Sequence, residues 1–93
     1  MSPPLRLPDA EIRERLLAVP GWELQGSLIR RTFQFGDFAA ALAFVIRVGA
    51  LAEAAGHHPD IDIRYSRVTL ALTTHEAGGL TARDFELAAR IRA

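Results

Sequence analysis

The chain has 93 residues, 49% of them hydrophobic, and its eleven basic and eleven acidic side chains cancel to a net charge of zero. Its arginines are scattered and lysine is absent, so no basic stripe is expected to recruit nucleic acid or an anionic membrane directly. Without cysteine there is no disulfide framework, thiol nucleophile or thiolate metal site, which suits a reducing cytoplasm.

The length predicts one domain over 1–93. A core this small leaves apolar surface uncovered, so a homo-oligomer is expected. Met1 to Pro4 lacks the charged start and apolar core of a secretory signal. Residues 1–8 contain three prolines and read as a loose arm. Asp9 is a good N-cap, and Ile12, Leu16 and Val19 follow at helical spacing until Pro20-Gly21 stops the helix. Trp22-Glu23-Leu24 reads as a short strand. Gly26-Ser27 turns the chain, and Leu28 to Phe35 returns with Ile29, Arg31, Phe33 and Phe35 on one face.

Gly36-Asp37 ends that strand and caps a long helix, roughly Phe38 to Ala55. The helix is broken by Arg47 and Glu53 and is rich in alanine, so it reads as buried rather than membrane-spanning. Apolar residues nearly encircle it, which predicts burial on more than one side. Gly56 is its predicted end, and Pro59 forces His58 into extended geometry. Ile61, Ile63 and Tyr65 alternate with Asp60, Asp62 and Arg64, as in a half-buried strand that places Tyr65 in the core. Ser66-Arg67 is a turn candidate. Val68, Leu70 and Leu72 line one face of the next strand, with Thr69, Ala71 and Thr73 on the other. His75 follows, Gly78-Gly79 marks a loop, and Thr81 caps a last helix bearing Phe85, Ala88 and Ala89. The order α-β-β-α-β-β-α predicts an α+β fold, a four-stranded antiparallel sheet with three helices on one face.

All three histidines lie between positions 57 and 75. Imidazole exchanges protons near neutral pH, so two histidines around a ligand can divide acid and base work. The structural alternative is that His57 and His58 complement the dipole at a helix C-terminus. Glu53 shares a helical face with His57 if the helix extends that far. Asp84 stands three residues after Thr81 and fits a capping box. Adjacent histidines on an irregular backbone rarely converge on one ion, so a metal site is not expected.

Glu53, His57-His58-Pro59, Tyr65, His75 and Asp84, separated by three, five, nine and eight residues, resemble the signature of the pterin-4a-carbinolamine dehydratases. Gly21-Trp22, Phe33 and Phe35 before Asp37-Phe38, and Gly78-Gly79-Leu80-Thr81 before Asp84 look like the same family. The resemblance runs from Asp9 to Ala93. Gly56 departs from it, because many members carry Asn before the histidine pair. The resemblance implies elimination of water from a 4a-hydroxytetrahydropterin to give a quinonoid dihydropterin, as in tetrahydrobiopterin recycling, with no cofactor. It implies His57, His58 and His75 as the catalytic set. Within that set His57 and His75 form the acid–base pair and His58 orients the pterin. Glu53 would hold or tune an imidazole, Pro59 supports the pair, and Asp84 would fix the loop or the third histidine. It also implies a homotetramer. The alternatives are a non-catalytic pterin-binding or dimerisation module, acting as a transcriptional coactivator, and a dehydratase-like site for another pterin-like ligand, as in molybdopterin metabolism.

Overall fold

The computed structural model describes residues 5–93. The secretory-signal reading and half of the loose-arm reading fall on residues 1–4, outside that range. The rest of the arm is tied down. Leu7 donates its amide to the Leu80 carbonyl at 2.8 Å and packs against the core.

Helix α1 spans Asp9–Leu16. Its N-cap is Pro8, in extended geometry, and no side chain caps it, so Asp9 is the first helical residue rather than the cap. Asp9 and Glu11 still place negative charge where the helix dipole favours it. The helix ends three residues before Val19, but Val19 is buried with Ile12. Strand β1, Glu23–Gln25, turns through Gly26 and pairs with β2, Leu28–Gln34. Helix α2 is Phe38–Ala55, and Asp37 caps it by accepting from the Ala40 amide at 2.8 Å. Strand β3, Asp60–Arg64, and strand β4, Arg67–Leu72, form the second hairpin. A single 3-10 turn, His75–Ala77, leads to α3, Ala82–Arg90.

The four strands form one antiparallel sheet, as the two predicted hairpins imply, and the structure orders them β1-β2-β4-β3. In the β2–β4 register Ile29 faces Leu72 and Phe33 faces Val68, and all four are buried. The neighbouring pairs Thr32–Thr69 and Gln34–Arg67 point the other way. The helices cover the first of these faces. Ala41, Phe44, Val48 and Ala52 form the buried stripe of α2, and Phe44 stacks at tilted angles on Phe33 and Phe35, with centroids 4.7 and 4.9 Å away.

Two expectations fail at the edges. The turn of the second hairpin is Tyr65-Ser66, and Arg67 is already paired with Arg64. Tyr65 therefore sits at the hairpin tip with φ +50° and 70% exposure, not in the core. β3 is an edge strand, and only Ile63 of its five residues is half-buried. The burial of α2 is also one-sided within a single chain, because Phe38, Leu42 and Ile46 are exposed.

Candidate active site

His57 is positioned by the way α2 stops. Gly56 takes the left-handed conformation, φ 63° and ψ 29°, which side chains disfavour and glycine adopts freely. Its amide donates to the Glu53 carbonyl and the next amide, of His57, donates to the Ala52 carbonyl, both at 3.2 Å. This is the paired-bond arrangement that ends many helices. It folds His57 back under the helix, where it is 8% exposed, while His58 leaves outward.

Asp84 meets His57 from α3. Asp84 is fully buried, and its Oδ1 lies 2.6 Å from His57 Nε2. Its Oδ2 accepts from the Thr74 hydroxyl and from the Thr81 amide, each at 2.9 Å. The hydroxyls of Thr74 and Thr81 are 2.8 Å apart, and the Thr81 oxygen accepts from the Arg83 amide at 3.3 Å. Asp84 is thus the capping-box partner that its spacing predicts and, at the same time, a histidine partner. The histidine it holds is His57, not His75. A carboxylate only accepts, so Nε2 of His57 carries the proton in this pair. Nδ1 makes no hydrogen bond with the described residues. His57 has one nitrogen locked and one without a partner among the described residues.

His58 and Glu53 form a second pair. Glu53 Oε1 lies 2.5 Å from His58 Nε2, and both side chains are mostly exposed. The helix ends before it can set Glu53 beside His57, so the extra turn through Gly56 hands the carboxylate to the next residue. In water such a pair contributes little to stability, about 0–1 kcal/mol, so its effect is to hold the ring. Pro59 then starts the extended run into β3.

His75 is exposed in the 3-10 turn directly after Thr74. Because Thr74 donates to the same carboxylate that holds His57, Asp84 ties the α2 end to the turn that carries His75. An open cavity of about 280 Å³ reaches His57 between α2 and α3, lined also by Ala54, Arg83, Glu86 and Arg90. His58 and His75 do not line it. Tyr65 sits at the other end of the hairpin. β3, five residues and roughly 16 Å long at strand rise, lies between it and the histidine pair. Among the described residues no three His, Cys, Asp or Glu side chains gather as a metal-binding group.

A family model for pterin 4 alpha carbinolamine dehydratase matches residues 5–93. The chain belongs to this family. It is 64% identical to a relative from Roseiflexus sp. (strain RS-1) over 86 residues, 92% of each chain. A relative from Acidobacterium capsulatum is 60% identical, covering 95% of this chain and 96% of its own. Both are provisionally named pterin-4-alpha-carbinolamine dehydratase. Among solved structures, a transcriptional coactivator/pterin dehydratase from Brucella melitensis superposes with a TM-score of 0.88 at 36% identity, covering 92% of this chain and 94% of that one. A pterin dehydratase-like protein identified as a RuBisCO assembly factor in the alpha-carboxysome superposes with a TM-score of 0.66 at 28% identity, over 80% and 88%.

Within this pterin dehydratase fold, Gly56 is explained by backbone geometry. The position requires the left-handed region, which Asn tolerates best after Gly. Thr74 escapes a reading of the sequence, and so does the contact that the capping hydroxyl of Thr81 makes with it. The signal for Thr74 is phase. Thr74 continues the inward series Val68, Leu70, Leu72, and a hydroxyl carried inward needs a buried partner.

Proposed function

We propose that this chain, one dehydratase domain over 1–93, eliminates water from a 4a-hydroxytetrahydropterin and releases a quinonoid dihydropterin, in cytoplasmic recycling of a tetrahydrobiopterin-type cofactor. The observation that carries this reading is the buried His57–Asp84 pair, whose carboxylate is tied through Thr74 to the turn that carries His75. The leaving hydroxyl stands on a carbon bonded to a ring nitrogen. Protonating it lets the nitrogen lone pair expel water, and a base then removes the proton from that nitrogen. His57 and His75 share these two steps, and His58, braced by Glu53, orients the pterin. Positioned acid–base groups supply about 10² to 10⁴ in rate, enough for a substrate already prone to lose water.

Dehydration of a synthetic 4a-hydroxytetrahydropterin, followed by its absorbance change, tests the reading. The wild type should accelerate it, and His57→Ala and His75→Ala should each lose on the order of 10²-fold. Full activity in the double variant would sink the assignment of these histidines.

The exposed stripe on α2 supports a second element of the reading, a homo-oligomer formed through that helix. The same stripe would be the docking surface if the chain acted as a coactivator module, as the Brucella protein's description suggests for that protein. A self-association that survives dilution favours the first.

A further inference from the structure

The hydrogen bonds at Oδ2 of Asp84 can be directed in only one consistent way. Three groups approach the carboxylate: His57 Nε2 at Oδ1, and the Thr74 hydroxyl and the Thr81 amide at Oδ2. The amide can only donate. If the Thr74 hydroxyl turned its proton toward Thr81 instead, an oxygen lone pair would face the carboxylate at 2.9 Å inside a fully buried site. Thr74 therefore donates to Asp84 and accepts from the Thr81 hydroxyl at 2.8 Å, and the Thr81 oxygen accepts from the Arg83 amide. Every proton along this run points toward the carboxylate, and Oδ2 has no room for a proton of its own.

We propose that Thr74, oriented by Thr81, is a positioning residue for His57. Its hydroxyl, with the Thr81 amide, stabilises the charged carboxylate of Asp84 from Oδ2 and leaves Oδ1 as an acceptor, which holds His57 as the Nε2–H tautomer and makes Nδ1 the nitrogen that exchanges protons with the ligand. Thr74 is 1% exposed and acts on His57 only through Asp84, so its effect falls on proton transfer and not on binding. A structural threonine would matter only through folding. A positioning threonine changes the tautomer of a ring that it does not touch.

The tautomer half of this inference does not depend on the dehydratase reading. The kinetic half rests on it. Nitrogen-15 spectra of the histidine-labelled protein, without ligand, should show His57 protonated at Nε2 and bare at Nδ1. A wild-type His57 protonated at Nδ1 overturns the proposal, whether or not any variant folds. In Thr74→Val the two nitrogens should move toward a mixture of tautomers. With the 4a-hydroxytetrahydropterin, kcat should fall on the order of 10-fold while KM stays within about twofold. Thr74→Ser restores the hydroxyl and should restore both readouts. Thr81→Ala, which keeps the carboxylate's direct donors, should lower kcat by a smaller factor at constant KM. A Thr74→Val protein with a wild-type tautomer and wild-type kcat overturns the proposal, and so does a loss that appears only in KM. A wild type with the expected tautomer but no dehydration would refute the proposed function and leave the positioning network standing.

Discussion

Asp84 has a separate task on each oxygen: one holds His57, the other closes the start of α3. Replacing it by Asn shows why the charge matters. The Thr81 amide is a fixed donor, so the Asn oxygen must turn toward it, and the amide nitrogen then faces His57. His57 can answer only by accepting at Nε2, which moves its proton to Nδ1. We therefore expect Asp84→Asn to lose about 10² to 10⁴ in dehydration rate while keeping its fold, as carboxylate-to-amide changes do where a histidine tautomer is at stake. The charge-assisted bonds it loses are worth about 1–3 kcal/mol of stability, read from urea unfolding. Unchanged dehydration by a folded Asp84→Asn protein would show that the tautomer is irrelevant.

At the scale of the elements, the end of α2 decides which imidazole is buried. One left-handed residue, Gly56, turns the chain so that consecutive histidines face opposite environments. Gly56→Asn should be tolerated within about 0.5 kcal/mol, because Asn also enters this region. Gly56→Val should cost about 1–2 kcal/mol, a fall in Tm of several degrees for a domain of this size, and should lower activity by displacing His57. Thermal melts of both variants check this, and equal Tm values would refute the role of the turn. The second hairpin makes the opposite point. Tyr65 follows Ile61 and Ile63 in phase, and an aromatic in that phase reads as core. Alternation cannot see that β3 is an edge strand, or that the chain reverses one residue earlier than Ser66-Arg67 suggests. Likewise Asp9 has the chemistry of an N-cap, but Pro8 already has the extended geometry that the cap position requires.

At the scale of the whole molecule, α2 is apolar on more surface than one chain can cover. Phe38, Leu42 and Ile46 recur every four residues, 46%, 42% and 67% exposed, on the side away from the buried stripe of Ala41, Phe44, Val48 and Ala52. Burying an aliphatic side chain of this size contributes about 1.5–3 kcal/mol, so a repeated contact between copies would hold an oligomer together. Size-exclusion chromatography with light scattering should find the wild type as a dimer or tetramer. Ile46→Glu should shift it toward monomer while leaving the His57–Asp84 pair intact. A wild type that stays monomeric at micromolar concentration would return the stripe to the coactivator reading.

The order of elements, the antiparallel sheet, the helix-covered face and the family are legible in the chain, because they rest on local periodicity, turn residues and spacing. The sequence also singles out the histidines and Asp84 as candidate site residues. Only the tertiary structure decided who pairs with whom. Asp84 is 27 residues from His57 and is brought to it by the packing of α3 against the end of α2. Glu53 goes to His58 because the helix ends in a left-handed turn whose consequence lies beyond the helical period. Thr74 becomes part of the site because β4 carries its hydroxyl inward to a carboxylate from another element, a proximity that nothing local encodes.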